Sequence, residues 1–265
     1  MASDYIIIIP THSSYQKTVE NFLQLLRKNW PNCPYKLIVS VTGNNTVIPN
    51  CENLYNGRDA SLIDCIVNVT KKYPNKRYLC LLGDAFINKK IDNEIVQKML
   101  NILTKNRIDY CSLNYVRNYK KVKTFNQNLR YIHGKDRYSH SFVAFAASYQ
   151  YIAEELSKFK SDLDFEKFYL FQDKNEYYEN HLIVRKNYFN LLPSITKGKW
   201  DRNNYYKLRK SNPEVIFDKR EVQTLKEAFV CHLRELIVPC LPSKMRIRVK
   251  KIVENISGFH FGVKD

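Results

Sequence analysis

The stretch Arg77-Tyr-Leu-Cys-Leu-Leu-Gly-Asp-Ala-Phe-Ile87 sets the architecture of this chain. Tyr78 to Leu82 are apolar in unbroken succession, the pattern of a strand buried on both faces. Asp84 stands two residues beyond that run. In open α/β sheets, ligands bind outside the carboxyl ends of the strands. A carboxylate there can hold a divalent cation against a diphosphate, because Mg2+ and Mn2+ want oxygen ligands and need only one or two from protein. Asp84 could equally cap a following helix or turn the chain.

Upstream, the same alternation repeats. Tyr5 to Ile9 is a buried strand, and Val19, Phe22, Leu23, Leu26 and Trp30 share one helix face. Pro31 and Pro34 punctuate its end, and Tyr35 to Val41 is a second strand stopped by Gly43-Asn-Asn45. A turn-rich segment runs from Asn44 to Asp59. Ser61 then opens a helix with Leu62, Cys65, Ile66 and Val69 inward. Downstream, Ile91, Ile95, Met99, Ile102 and Leu103 predict another helix, and Tyr110 to Leu113 a fourth strand. This order predicts an α/β fold with a mostly parallel sheet flanked by helices, joined by right-handed crossovers.

The second half reads less regularly. Lys120 to Lys135 is expected to form loops or a hairpin, and Ser141 to Ala147 is an apolar run. Tyr149 to Phe159 reads as a helix and His181 to Leu192 as strand-like pieces. Val222, Leu225, Phe229, Leu233 and Leu236 form a helical stripe closed by Pro239 and Pro242. Neither repeats nor an interdomain linker are visible.

Composition narrows the class. A 265-residue chain that is 44% hydrophobic and 13% aromatic can bury a sizeable core and is not disordered. The first residues lead straight into a strand too short to span a bilayer, and no later run reaches the roughly 20 apolar residues required. The seven cysteines are scattered without a Cys-x-x-Cys pair. Cys65, Cys80 and Cys111 sit inside apolar runs, as buried thiols do, which points to a cytosolic location.

The net charge of +17 asks for polyanionic partners: phosphorylated substrates, an anionic membrane face or nucleic acid. Cations concentrate in Arg117 to Lys123, Lys197 to Lys210 and Lys244 to Lys251. Compositional drift toward Lys, Asn and Tyr is the lesser explanation for part of the excess.

No G-x-G-x-x-G follows the first strand, and neither a G-x-x-x-x-G-K-S/T loop, an H-E-x-x-H helix nor a G-x-S-x-G elbow is present. With seven glycines in all, phosphates would have to be held by a metal or by Lys and Arg.

Six short motifs occur in order. They are Tyr5-Ile-Ile-Ile-Ile-Pro-Thr-His12, Trp30-Pro-Asn-Cys-Pro-Tyr-Lys36, Asn56-Gly-Arg-Asp-Ala-Ser61, Leu81-Leu-Gly-Asp-Ala-Phe-Ile87, Asp164-Phe-Glu166 and Ile195-Thr-Lys-Gly-Lys-Trp200. Together, over roughly residues 5 to 200, the chain resembles bacterial GT-A-type glycosyltransferases that use nucleotide-diphospho-sugars in capsule, lipopolysaccharide and other surface-glycan assembly. The family's third-strand motif usually reads Leu-Asp-Asp-x-Phe. Here Gly83 replaces the first acid while Asp84 and Phe86 remain, so one carboxylate rather than two would face a metal.

The resemblance implies a GT-A-like, Rossmann-type domain over residues 1–215. A helical basic extension over 216–265 would pack on it and could face a membrane. It implies hexosyl transfer from a nucleotide-sugar donor, a UDP-sugar foremost, to a glycan or lipid-linked glycan. Mn2+ or Mg2+ would be the cofactor. Thr11, His12 and Ser13 would line the nucleotide pocket, although Ser13 or Ser14 could simply cap the helix that follows. Asp59 would accept hydrogen bonds from base or ribose, or else cap the helix beyond it. Asp84 would ligate the metal or the donor sugar.

Glu166 would take the proton from an attacking acceptor hydroxyl, its pKa raised by Phe165 and Phe168, or it is an ordinary solvated helix acid. Lys197 and Lys199 would neutralise the leaving diphosphate, and Trp200 would stack on sugar or base. A solvated loop with one anchoring Trp is the alternative. His133, His140 and His181 share no metal spacing and read as structural.

Residues 244–256 carry five cations, with Met245, Val249, Ile252, Val253 and Ile256 on one helical face. That pattern suits an anionic bilayer surface, a peripheral placement on the inner membrane face, or a docked core helix. Two rival readings remain at this level. One is a nucleic-acid binder using the 19 tyrosines among basic residues, as in Tyr115 to Tyr119 or Tyr205 to Lys210. The buried sheet and its acidic strand end are not needed for that task, so no nucleic-acid partner is expected. The other is an inactive relative that lost its acid at Gly83.

Overall fold

The computed structural model describes residues 5–115, 122–136, 138–172 and 174–237. Most of the basic stretch 117–123, and all of the basic segment 244–256, lie outside the described residues.

The isoleucine run forms β1 (Tyr5–His12), buried along seven of its eight positions. β-Branched side chains fit a strand enclosed on both faces. Next comes α1 (Gln16–Asn29), which buries Val19, Phe22, Leu23 and Leu26, the expected stripe. Trp30 ends it at 2% exposure and donates its indole N–H to Asn93 Oδ1 at 3.0 Å. β2 (Lys36–Thr42) runs parallel to β1.

The turn-rich segment then hides a short edge strand, β3 (Glu52–Tyr55), parallel to β2. Its Glu52 pairs with Lys36 at 2.7 Å and Lys72 at 3.0 Å, charges that suit a sheet margin. α2 (Leu62–Lys72) starts where Ser61 predicts, with Ser61 and Asp64 forming a reciprocal capping box. β4 (Arg77–Leu81) lies parallel to β1. A turn leads into β5 (Ala85–Ile87) and, after the Asp92 cap, α3 (Asn93–Lys105). This helix buries Val96, Met99, Leu100 and Leu103 and leaves Ile95 at 36% exposure, so the inward stripe is rotated from the expected one. Counted from Val96, spacings of 3, 4 and 7 give Met99, Leu100 and Leu103, the stripe that is buried.

The remaining elements of this unit are β6 (Tyr110–Ser112), β7 (Leu129–His133), β8 (Ala144–Ser148), α4 (Tyr149–Glu154), α5 (Asp162–Phe171), β9 (Tyr177–Val184) and β10 (Leu191–Pro193). The sheet order is β3-β2-β1-β4-β8-β6-β9-β7, eight strands, while β5 and β10 form a separate antiparallel pair. The expected fourth strand, β6, is not the neighbour of β4. Instead β8 inserts between them, antiparallel to both. Its Ala-Phe-Ala-Ala run fits a crowded sheet centre, but apolarity carries no information on strand direction. The α/β sheet is mainly parallel with antiparallel insertions. β7 lies within the segment expected as loops or a hairpin. Its Arg130 makes a buried ion pair with Asp136 at 2.6 Å.

The chain divides into two compact units, residues 1–193 with Val215–Asp218, and Ser194–Glu214 with residues 219–265. The division falls after Pro193, ahead of the expected point at 215/216. In the second unit β11 (Ile195–Thr196) and β12 (Lys199–Trp200) form a hairpin, followed by α6 (Arg202–Ser211) and α7 (Leu225–Ile237).

Candidate active site

Strands β1, β2, β3 and β4 are parallel, so their carboxyl ends share one edge of the sheet. Because β8 runs the other way, the residues leading into it join that edge. Here α/β sheets place ligands.

At the end of β1, Thr11 is buried and His12 exposed. His12 Nδ1 accepts the Ser14 N–H at 3.1 Å and lies 2.8 Å from the Ser14 hydroxyl. His12, not Ser13 or Ser14, therefore caps the short 3-10 turn ahead of α1. With Nδ1 accepting, the ring proton belongs on Nε2. The Ser13 hydroxyl instead accepts the Asn44 N–H at 2.9 Å, across to the end of β2.

Gly43 makes that approach possible. It adopts φ +90°, and a Cβ on it would lie 2.5 Å from Ser13 Oγ and 2.6 Å from His12 Nε2. Its N–H donates to Gly57 O at 3.1 Å, and its carbonyl accepts the Tyr55 hydroxyl at 2.9 Å. Thr42 Oγ1 lies within hydrogen-bond distance of the carbonyls of Gly57 and Ala60, at 3.0 and 2.7 Å. Three loops are thus lashed together: 11–14, 43–44 and 57–60. They carry Thr11, His12, Ser13 and the exposed Asp59 on one end of the sheet. Asp59 does not cap α2, since Ser61 does. Thr42, Gly43, Asn44 and Tyr55 were not singled out by sequence. Gly43-Asn-Asn45 signalled only a turn, and what it turns against is set by tertiary contact.

Asp84 occupies a turn closed by the Ala85 N–H donating to Leu82 O at 3.1 Å, between β4 and β5. It is partly exposed, and no helix follows directly for it to cap. Gly83 beside it is buried, and a Cβ there would meet Val19 Cγ2 at 2.8 Å. At the position where the resembled motif would carry its first acid, α1 occupies the space.

Glu166 lies on α5, whose first turn is capped by Ser161 accepting the Asp164 N–H at 3.1 Å. Its Oε1 accepts the Phe142 N–H at 3.0 Å. Burial pushes its carboxyl above the usual range, while that N–H and the Ser141 hydroxyl pull the other way. Of the two phenylalanines expected to shift it, Phe165 is wholly buried and Phe168 is 48% exposed. Leu82 N–H donates to Val143 O at 2.9 Å. Phe142 is therefore one residue from the partner of Leu82, and Asp84 two residues beyond Leu82. The register brings Glu166 and Asp84 to the same strand end.

The segment before Phe142 is anchored from below. Tyr110 hydroxyl donates to Ser141 O at 3.1 Å and accepts Ser141 N–H at 3.0 Å. His140 stacks on Tyr169 at 3.7 Å and pairs with His181 at 2.9 Å between Nε2 and Nδ1. Both imidazoles are pushed toward neutrality by burial, His140 well below its ordinary value and His181 to about 4. Forty-one positions apart, the pair is invisible to spacing arguments.

In the second unit, Lys197-Gly198 forms the two-residue turn of the β11–β12 hairpin, with φ of 53° and 77°. Left-handed conformation at both positions matches the right-handed strand twist. Lys199 is engaged by Glu221 at 3.2 Å and Glu227 at 3.1 Å, carboxylates that raise its pKa. Trp200 is 0% exposed and packs on Tyr205 at 5.2 Å between ring centres. The expected stacking platform is closed by the chain's own residues, and the Lys199 charge is already compensated. Thr196 and Lys197 are the exposed residues of this motif.

The donor set decides how a cation could be held. Among the described residues, no three His, Cys, Asp or Glu side chains group as a metal site. Asp84 fits Mn2+ or Mg2+ only as a single protein ligand, with phosphate oxygens supplying the rest.

No family model matches the chain, and no curated protein matches it. Solved structures do resemble it. A cytidylyltransferase from Leptospira borgpetersenii aligns at 11% identity over 99% of this chain and 100% of that one, with a TM-score of 0.42. Residues 1–349 of S. aureus TarS align at 11% identity over 94% and 78%, with a TM-score of 0.45. A putative glucose-1-phosphate thymidylyltransferase from Bacillus anthracis aligns at 11% identity over 82% and 98%, also at 0.45. Superpositions this loose, at identities this low, assign no chemistry to the chain.

Proposed function

We propose that the chain is a glycosyltransferase that takes a sugar from a nucleotide-diphosphate donor, a UDP-sugar foremost, and passes it to a glycan or lipid-linked glycan. One observation carries the reading. Asp84, at the tip of the central strand β4, shares a sheet edge with the His12–Ser13/Gly43–Asn44 cradle and with Glu166.

In this mechanism the cradle takes the nucleoside, with Thr11, His12, Ser13 and Asp59 offering polar groups around it. Asp84 faces the sugar-diphosphate. A Mn2+ or Mg2+ arriving with the diphosphate would be held by Asp84 and would offset charge on the leaving group. Glu166 takes the proton of the acceptor hydroxyl as that oxygen attacks the anomeric carbon. The bond to the nucleoside diphosphate breaks as the new glycosidic bond forms. A carboxylate with a raised pKa is the better base, and the Phe142 N–H and Ser141 hydroxyl keep it oriented. Lys199 and Trp200 take no part, being committed within their own unit.

The test is turnover. Purified chain is incubated with UDP-, GDP-, CMP- and dTDP-sugars, and release of free nucleotide is followed. One donor is expected to be hydrolysed or transferred, and Asp84→Ala is expected to lower the rate about a hundredfold or more. Hydrolysis that survives Asp84→Ala undiminished refutes the assignment.

A further inference from the structure

The second unit carries a surface that the sheet edge does not explain. It contains 16 of the 43 Lys and Arg residues against seven of the 26 Asp and Glu. Helical spacing puts Asn203, Tyr206, Lys207 and Lys210 on one exposed face of α6, flanked by Arg202 and Arg209. Leu208, fully buried, fixes the opposite side. No acid lies within the helix, Asp201 being its N-cap. Tyr206 is 50% exposed, with the Arg202 guanidinium 5.2 Å from its ring centre, and Arg209 lies 5.7 Å from that of Tyr205.

On α7, Leu225 and Phe229 stand one turn apart at 72% and 65% exposure, while Ala228 between them is buried. They are held there by a well-formed helix start. Thr224 N–H donates to Glu227 Oε2 at 2.7 Å, and Glu227 N–H donates to Thr224 Oγ1 at 3.2 Å.

We propose that this unit docks on an anionic lipid bilayer, Leu225 and Phe229 entering the interface and the α6 cations meeting lipid phosphates. A nucleic acid would use the cations and Tyr206 but has no use for an exposed leucine and phenylalanine on α7. A protein groove would use that apolar pair without needing an acid-free basic helix. A bilayer surface uses both, with Tyr206 suited to the headgroup layer. Among the described residues no helix is long and apolar enough to cross a membrane, so the contact would be superficial.

The full chain is mixed with vesicles that are about one-third phosphatidylglycerol or wholly phosphatidylcholine, and flotation is measured. It should float with the anionic vesicles only, and less at ~1 M salt than at ~0.1 M. Lys207→Glu/Lys210→Glu and, separately, Leu225→Gln/Phe229→Gln should each cut partitioning roughly tenfold or more. Circular dichroism should show both variants folded.

Absence of vesicle binding overturns the proposal. So does binding that both double variants leave intact but Arg246→Glu/Arg248→Glu abolishes, which would assign attachment to the C-terminal segment. Loss in the charge-reversed variant with none in Leu225→Gln/Phe229→Gln overturns the interfacial ridge. Retention on single-stranded DNA without vesicle binding would identify a nucleic-acid surface instead.

Discussion

Gly83 and Val19 meet so closely that a Cβ on the glycine would lie 2.8 Å from Val19 Cγ2. Val19 is 1% exposed on α1. A helix therefore packs against the β4–β5 turn, at the position where the glycosyltransferase motif that this sequence resembles carries its first acid. Gly83→Ala is expected to cost about 1–3 kcal/mol through overpacking. Gly83→Asp should cost more, since it also buries a carboxylate. Combining Gly83→Ala with Val19→Ala should recover part of the loss, a coupling that a thermal-melt double-mutant cycle reads directly. An acid at this position is thus expected to weaken the fold.

Glu166 separates stability from chemistry. Burial raises its pKa, so its folded-state pKa lies above the unfolded one. The stabilising contribution is present below the ordinary carboxylate pKa and is lost as pH rises through the folded value. At neutral pH the charge is a burden. Glu166→Gln keeps an oxygen for the Phe142 N–H and removes that charge. Its melting temperature at pH 7 should equal or exceed that of the parent, while turnover falls about 10²–10⁴-fold. Lower stability with unchanged turnover would make Glu166 a structural acid.

The His140–His181 pair should tilt stability with pH. Both imidazoles have folded-state values below 6.5, His181 at about 4. The unfolded chain then binds more protons between these limits. Stability is complete above about 6.5 and drains as pH falls toward 4, by up to about 3 kcal/mol from His181. Glu166 acts in the opposite sense at the lower end of this window. Replacing both imidazoles, His140→Phe/His181→Phe, should flatten the fall in melting temperature across it. A parent protein whose melting temperature is level from pH 6.5 to 4 contradicts this.

What the sequence disclosed and what it hid follow one physical line. The apolar run of β1, the 3.6-residue stripe of α1, the Ser61 cap and the buried β4 strand are local patterns, and each stands where its pattern placed it. Pairing is not local. Nothing in Ala144–Ser148 says that it runs antiparallel beside β4, so the parallel sheet read from alternation acquired an antiparallel insertion. Trp200 looked like a stacking platform because its neighbours are cationic. Its burial depends on Tyr205 and on backbone bonds to residues 221 and 223, which no spacing reveals. The acids Asp84 and Glu166 were legible as types at strand and helix positions. Their placement on one edge comes from the Leu82–Val143 register.

The most direct measurement is isothermal titration of the intact chain with the nucleotide-sugar panel, with and without Mn2+, alongside Asp84→Ala and Ser13→Ala. One donor should bind at micromolar to millimolar strength, weakened about tenfold or more by either substitution. A folded protein that takes up none of them in either condition, or one that binds equally well without Asp84, would contradict a sugar-nucleotide site at the tip of β4.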